Sequence, residues 1–421
     1  MTTERPYDVI IWGATGFTGE LVAQYFTQHS PKDVKFAIAG RSEKKLNEVA
    51  DKLKEMDEML RFAGGPVPFI IADSNDQLSL DRMVSQGKVV ISTVGPYSKY
   101  GLPLVDSCVR QKTDYVDLTG EPQFVRRCID NYHEKATANN VLIVNSVGFD
   151  SIPSDLGSFL IANHFKSKGL KTDNIRYTVT EAVGGASGGT LASGINVIEE
   201  LSYSELSELS SNPDYLIPNS IPSPTTWNST RLYYDKGLKV WQFPFIMEIC
   251  NLRYVRRSNY LLNYGPNFQY CEGMTSNYFA IAATAAVGIA VGGIAMMFPP
   301  VRWAAKAILP PGTGPSEKSR NEGHFTITLF GEATDDSGKK HYAKAVVKGV
   351  GDPGYKETSK MMSESALCLA LNRLECGQPG KTGNFKSYTG GVVTSAASMG
   401  MVLIQRLRNA GMTFEVSETT L

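Results

Sequence analysis

An excess of charge of either sign is absent from this chain, because 42 Lys and Arg balance 42 Asp and Glu and the formal net charge is zero. The charged residues are scattered and not gathered on a basic face, so no nucleic acid is expected as a partner. Histidine is scarce, at five residues. The six cysteines, Cys108, Cys128, Cys250, Cys271, Cys368 and Cys376, include no C-x-x-C pair and no histidine at ligand spacing. They read as reduced thiols of a cytosol-facing protein, and no metal site is expected. An apolar h-region is missing from the N-terminal Met-Thr-Thr-Glu-Arg-Pro-Tyr-Asp, so no cleaved signal peptide is expected. Asn228-Ser-Thr fits the glycosylation pattern, a match that is common by chance and has no consequence in a cytosolic chain. No internal repeat is visible.

What the chain has instead is alternation. At 421 residues it exceeds one ordinary core, and two structural units are expected. Residues 7–12 are a short apolar, β-rich run, and Leu21, Val22, Tyr25 and Phe26 follow a glycine turn at helical spacing. The pattern repeats with strands at 36–39, 68–72, 89–94, 115–118 and 141–146 and helices at 44–56, 104–111 and 126–139. Such alternation predicts an α/β, doubly wound Rossmann sheet. Beyond residue 150 the periodicity is obscured by Gly-rich turns at 184–189, a Ser- and Pro-rich stretch at 202–224 and a Tyr-rich stretch to Tyr270. Strands return at 324–331 and 342–350, paired as a hairpin across Asp335-Asp336-Ser337-Gly338, and helices near 358–374 and 395–410 close the chain.

The turn after the first strand reads Gly13-Ala14-Thr15-Gly16-Phe17-Thr18-Gly19. A glycine triplet alone is a weak signal, but here a strand ends at Trp12 and a helix follows at once. Gly13 allows the tight turn, Gly16 lets backbone approach a pyrophosphate, and Gly19 lets helix pack against strand. The pyrophosphate then meets a helix N-terminus. The second strand ends Ala39-Gly40-Arg41-Ser42, with no carboxylate for the ribose hydroxyls and an arginine in its place. Arg41 suits a 2′-phosphate and an adenine face, with Ser42 and Lys45 as further donors, so the expected cofactor is NADP(H). The competing reading leaves Arg41 as a solvated loop residue. Asp73, just past the third strand, is placed to touch the adenine edge or to cap the next turn. The fourth strand delivers Thr93, Gly95, Pro96 and Tyr97 to the ligand edge of the sheet. Gly95 would approach the nicotinamide ribose, and Tyr97 would stack or donate a proton.

Gly13-Ala-Thr-Gly-Phe-Thr-Gly, Ala39-Gly-Arg41, Val94-Gly-Pro-Tyr97, Asp117-Leu-Thr-Gly-Glu-Pro122 and Gly148-Phe-Asp-Ser-Ile-Pro-Ser-Asp155 together resemble the saccharopine dehydrogenase-like oxidoreductases. The resemblance resumes at Gly351-Asp-Pro-Gly-Tyr355 and Gly390-Gly-Val-Val-Thr394 and is weakest at 202–270. That family includes saccharopine dehydrogenases, bacterial trans-acting enoyl reductases that work on lipid-like polyketides, and animal proteins of lipid droplets. The sequence looks closest to the last two. The resemblance implies a dinucleotide-binding domain at 1–150, an α+β substrate domain at 151–350 and a C-terminal helical stretch at 351–421 that packs back on the body. It hands over no catalytic residue. The pair Thr394-Ser395 departs from the family's Thr-Pro, which changes helix entry more than chemistry. By their own chemistry Glu121, Asp150 and Ser151 follow strands on the ligand edge, so Glu121 and Asp150 join Tyr97 as catalytic candidates and Ser151 joins the cofactor site. Asp150 or Ser151 equally suits the cap of a helix beginning near Pro153. His133 reads as a packed or surface histidine, and Gly184 to Thr190 as a turn or a substrate-cleft lining.

Residues 279–298 read FAIAATAAVGIAVGGIAMMF, and no charge stands between Glu272 and Arg302. Roughly 20 apolar residues span a bilayer, yet an Ala- and Gly-rich core helix has the same composition. The Pro299-Pro300 break and the basic, aromatic Arg302-Trp303 to Lys306 suit an interface, so membrane contact is expected. A full span would carry the strands after His324 away from the domain they complete, so a segment that dips in and returns, or lies on the surface, fits better. Gly288 and Gly292 offer another use, a G-x-x-x-G contact in a homodimer. The leading expectation is an NADP(H)-dependent reductase of a lipid-like substrate at a membrane or lipid-droplet surface, passing hydride to an activated carbon. One rival is a non-catalytic NADP-binding scaffold or sensor, favoured by the lack of a distinctive acid–base pair. The other is a soluble saccharopine-type amino-acid dehydrogenase, which has no need of the apolar segment.

Overall fold

The computed structural model describes residues 5–184, 188–218, 232–235, 239–308 and 314–420. Asn228 and most of the Gly-rich turn, at 185–187, lie outside the described residues. In chain order the described strands are β1 (Tyr7–Trp12), β2 (Phe36–Gly40), β3 (Phe69–Ile71), β4 (Gly87–Ser92), β5 (Asp114–Asp117), β6 (Leu142–Val144), β7 (Thr172–Val183), β8 (Tyr233–Asp235), β9 (Val240–Pro244), β10 (Gln269–Ser276), β11 (His324–Thr334), β12 (Lys340–Val350), β13 (Gly391–Val393) and β14 (Thr413–Thr419). They form two seven-stranded sheets, one in each of two compact units.

The first unit comprises 1–149, 354–382 and 387–410. Its sheet runs β13-β6-β5-β4-β1-β2-β3, and every pairing is parallel. Parallel sheets need both faces covered, and β2 (Phe-Ala-Ile-Ala-Gly) is accordingly buried at all five positions. Strand order reverses between β1 and β4, which opens a crevice at their C-terminal ends. The helix Glu43–Glu55 starts at Ser42, whose hydroxyl accepts from the Lys45 N–H. The helix Thr358–Leu371 packs on β1, β4 and β5, burying Met361, Met362 and Leu367. Glu364 on that helix accepts from Tyr25 Oη at 2.8 Å and from Arg406 Nε at 2.9 Å, tying three helices together. His133 is a packing residue, its Nδ1 3.2 Å from the Val392 backbone of β13.

The second unit comprises 150–353, 383–386 and 411–421. Its sheet runs β14-β12-β11-β7-β10-β9-β8, antiparallel throughout except for β10 on β7. The hairpin across 335–338 is present, with Thr334 opposite Lys340. The helix Ile152–Ser167 lies on this sheet, where Gly157 and Gly331 leave room for Leu329 and for Ile161. The stretch 351–421, expected to be helical, also carries β13 and β14, one strand in each sheet. A three-residue Gly-Val-Val run (β13) and a polar alternation on a sheet edge (β14) are too short or too polar to signal a strand alone.

The helix Phe279–Met296 leaves the end of β10 and is 6% buried, with a mean hydropathy of 2.1. It is not a core helix. Its fixed points are Ala282, which is buried, and the Phe279 ring, 4.8 Å from Trp241.

Candidate functional site

The crevice between β1 and β4 is built by backbone. Gly13 sits at φ +90°, and a Cβ there would meet Thr93 Oγ1 at 2.6 Å and Val94 Cγ2 at 2.7 Å. A Cβ on Gly19 would overlap the Gly13 carbonyl oxygen, so the third glycine is what lets the helix Phe17–His29 start against the turn. Gly16 is exposed at the N-cap of that helix and offers no side chain to satisfy the first turn. Thr93 closes the crevice floor, donating from both N–H and Oγ1 to the Trp12 carbonyl at 2.9 and 3.0 Å. Ala14, Thr15, Phe17 and Thr18 complete the loop, and the Phe17 ring rests edge-on against Tyr355 at 5.1 Å.

A second helix N-terminus reaches the same edge, but it is already occupied. Glu121 is fully buried, and its two carboxylate oxygens accept from the N–H groups of Tyr97 and Ser98, each at 3.0 Å. An anion held there neutralises the dipole of the helix Tyr97–Gln111. The helix after the glycine turn differs in that no side chain caps its N-terminus, which suits an anionic ligand there.

Tyr97 and Glu121, expected near the chemistry, have structural work instead. The Tyr97 hydroxyl is buried, donates to the Ser92 carbonyl at 3.0 Å and is also bonded by the Leu118 backbone, while its ring packs on Phe124 at 5.7 Å. Burial, with Asp117 close by, holds this phenol well above its ordinary range. A hydroxyl so engaged ties the end of β4 to the residues after β5 and does not face a ligand. Gly95 and Pro96 lead into this helix, with Gly95 against the Tyr97 ring. Asp117, which the sequence reading passed over, is the hub of the same edge. Its carboxylate accepts from Tyr115 Oη, Asn145 Nδ2 and the N–H groups of Thr119 and Ser146, at 2.8 to 3.0 Å. Burial still pushes it up to about 6. Its visible signal is a carboxylate at the C-terminal end of a strand, just before the Leu-Thr-Gly-Glu turn.

Arg41 is exposed and has no acidic partner among the described residues, and Lys45 beside it is also exposed. Ser42 and Asp73 are drawn into local caps. Ser42 begins its helix, and Asp73 Oδ1 accepts from the Asn75 N–H at 2.9 Å and from its side-chain amide at 3.1 Å. A free guanidinium beyond β2 and a cradle that any Cβ would fill fit a dinucleotide bearing a 2′-phosphate.

Asp150 and Ser151 belong to the second unit. Asp150 keeps part of its surface accessible, but the protein packed around it pushes its carboxyl up to about 6. Ser151 stands at the N-cap of the helix Ile152–Ser167 without a side-chain cap bond, and its hydroxyl lies 3.4 Å from Asn251 Oδ1. Asn251 in turn donates to Glu272 Oε2 at 2.9 Å, and Tyr270 Oη donates to Oε1 at 2.6 Å. Burial raises Glu272 to about 8, so this interior carboxyl carries its proton at neutral pH. Among the described residues no group of His, Cys, Asp and Glu is arranged to hold a metal.

Residues 9–144 match the saccharopine dehydrogenase NADP binding domain. The chain is 35% identical over 434 residues to a Mycobacterium tuberculosis protein assigned by name to the trans-acting enoyl reductases, covering 99% of this chain and 98% of that one. The trans-acting enoyl reductase of Mycobacterium ulcerans is 33% identical over 436 residues, 97% of each chain. Saccharopine dehydrogenase (L-Glu forming) of Saccharomyces cerevisiae shares the fold, with a TM-score of 0.55 over 98% of this chain and 100% of that one, at 13% identity. The cofactor is NADP(H), and the chain is an oxidoreductase that belongs to the saccharopine dehydrogenase-like family.

Proposed function

We propose that the protein is an NADPH-dependent reductase of an activated carbon–carbon double bond in a lipid-like acyl substrate, met at a membrane or lipid-droplet surface. The reaction class is supported by full-length similarity to proteins named as enoyl reductases. The lipid part is carried by one observation: an oxidoreductase fold leaves an 18-residue apolar helix almost wholly outside its core.

What NADPH supplies when bound is a hydride. The Gly13–Gly19 turn holds the pyrophosphate, Arg41 pairs with the 2′-phosphate, and Glu121 and Tyr97 fix the turn at Gly95 and Pro96 that approaches the nicotinamide ribose. Saturating a double bond also consumes one proton, and the Tyr97 hydroxyl is engaged elsewhere. In this reading Asp150, the acid that follows β6 on the ligand edge, supplies that proton, and burial holds its carboxyl above the ordinary carboxylate range.

The test offers purified protein a trans-2-enoyl thioester of long chain and a short one, each with NADPH or NADH, and saccharopine with NADP+ or NAD+. NADPH oxidation with the long enoyl thioester is expected, and Asp150→Asn should lower kcat by about 100-fold or more while leaving the NADPH Kd unchanged. Turnover of saccharopine alone would replace this reading with amino-acid chemistry. NADPH binding without turnover of any of the three would sink it.

A further inference from the structure

The apolar helix has no polar face, since Thr284 is its one hydroxyl residue. Val287, Val291 and Ile294 are each about 60% exposed, and a Cβ added at Gly288, Gly292 or Gly293 would point into open space. A helix that is apolar all round and uncovered by protein needs a hydrocarbon environment on every side. At 1.5 Å per residue its 18 residues measure about 27 Å, close to the roughly 30 Å of a bilayer core. Length alone therefore permits a span.

The strand pairing does not. β10 runs parallel to β7, with Met274 opposite Val179, and it ends at Ser276 beside the end of β7. β11 begins at His324 opposite Val183, on the other side of β7 and at the same end. Chain leaves and re-enters one end of one sheet, so the residues before and after the helix lie on the same side of any membrane. The helix Pro299–Ile308 that follows is held by the same unit. Arg302 and Lys306, the first charges after the apolar run, both pair with Glu199, at 3.4 and 2.9 Å. Glu199 ends a helix of 13 residues, about 20 Å, too short to reach across the hydrocarbon. Arg302 also donates to the carbonyls of Met296 and Met297, closing the C-terminus of the apolar helix. Trp303, 76% exposed, stands beside these charges as interfacial aromatics do.

We infer that Phe279–Ile308 is a one-sided anchor. The apolar helix seats in a single phospholipid leaflet, the following helix lies at its headgroup level, and no part of the chain crosses. This rests on the lipid-surface part of the proposed function and not on the reaction assigned to it.

All six native cysteines are buried, so a fluorophore on Val287→Cys reports the helix selectively in the full chain. The probe surfaces are bilayer vesicles of phosphatidylcholine with phosphatidylserine, and triolein droplets coated with a monolayer of the same lipids. Binding to both within about threefold is expected, with the fluorophore quenched by acyl-chain quenchers in each. External protease should leave no vesicle-protected fragment. The double variant Val287→Lys, Val291→Lys should weaken binding by at least about 50-fold, and both positions being exposed, its fold should persist. Binding to vesicles but not droplets, or a protected fragment, would establish a span and overturn the inference. Binding to neither surface, with the wild type sedimenting as a dimer that the double variant abolishes, would assign the helix to a second copy. The reductase assay separates the two claims: turnover without lipid binding defeats only the anchor, and lipid binding without turnover defeats only the reaction.

Discussion

In the proposed reading Arg41 is the residue on which cofactor choice turns, because it is exposed beyond β2 and no acid among the described residues pairs with it. Ser42, expected to add a donor beside it, and Asp73, expected at the adenine edge or as a cap, are engaged by the first turns that follow their strands. In that reading the 2′-phosphate falls to Arg41, with Lys45 a further exposed cation at the start of the next helix. A charge-assisted bond of this kind contributes about 1.5–3 kcal/mol, and replacing the cation by an anion adds repulsion. Arg41→Asp should raise the NADPH Kd by about 100-fold or more and change the NADH Kd by no more than a few-fold. Titration of both cofactors against both proteins checks it. Equal losses would assign Arg41 to adenine stacking alone.

At the scale of elements, what the sequence revealed depended on how much of each element's reason to exist was local. β1, its glycine turn and the helix Phe17–His29 carry their reasons within some 20 residues, and so do the β11–β12 hairpin and its Asp-Ser-Gly turn. The long strand β7 and the helix Glu248–Leu262 were illegible because their apolar pattern is interrupted by buried polar groups, Asn251, Arg253, Arg256 and Arg257 on the helix among them. Three of these groups have distant partners: Asn251 meets Glu272, Arg256 meets Asp214 and the Phe268 carbonyl, and Arg257 meets the Leu216 carbonyl. Tyr97 and Glu121 stood in recognisable motifs, but which way they faced was a tertiary fact. The same helix supplies Asn251 to Glu272 on β10, and the pair gives this sheet a pH dependence. Burial raises Glu272 to about 8 from 4.5, with Glu248 adding repulsion, so the folded state binds this proton more tightly than the unfolded chain. Its contribution to stability is therefore complete below about 4.5 and is lost as pH rises through about 8. Urea unfolding of wild type should show stability falling across this window, by about 1.4 kcal/mol per pH unit where the slope is steepest. Glu272→Gln, neutral and of the same shape, should flatten that slope. An unchanged slope in the variant would place the proton elsewhere.

At the scale of the whole molecule, the chain keeps its chemistry and its apolar surface in separable pieces. The first sheet is finished by a strand from the far end of the sequence, β13 on β6, and the second by β14 on β12, so neither unit is complete before the last residues are in place. The excursion at 277–323 does the opposite. It departs from β10 and returns to β11, strands that flank β7 at one end, and it contributes no strand to either sheet. Two strand spacings of about 4.8 Å and a stagger of about two residues put Ser276 and His324 on the order of 12 Å apart. Six Gly and Ser residues reach up to about 20 Å and close that gap without strain. Replacing 277–323 by such a linker gives up the Phe279 contact on Trp241, the two ion pairs on Glu199 and the bond from the Asp352 N–H to the Arg320 carbonyl. Together these are worth about 1–5 kcal/mol. The shortened protein should unfold cooperatively, bind NADPH with the Kd of the full chain, and bind neither vesicles nor coated droplets. Its turnover of a short, soluble enoyl thioester should persist, while turnover of a long-chain one presented in vesicles should fall at least tenfold, as expected when the anchor's work is to bring the enzyme to its substrate. Loss of cooperative folding would make the excursion part of the core, and unchanged turnover in vesicles would show that lipid seating has no part in catalysis.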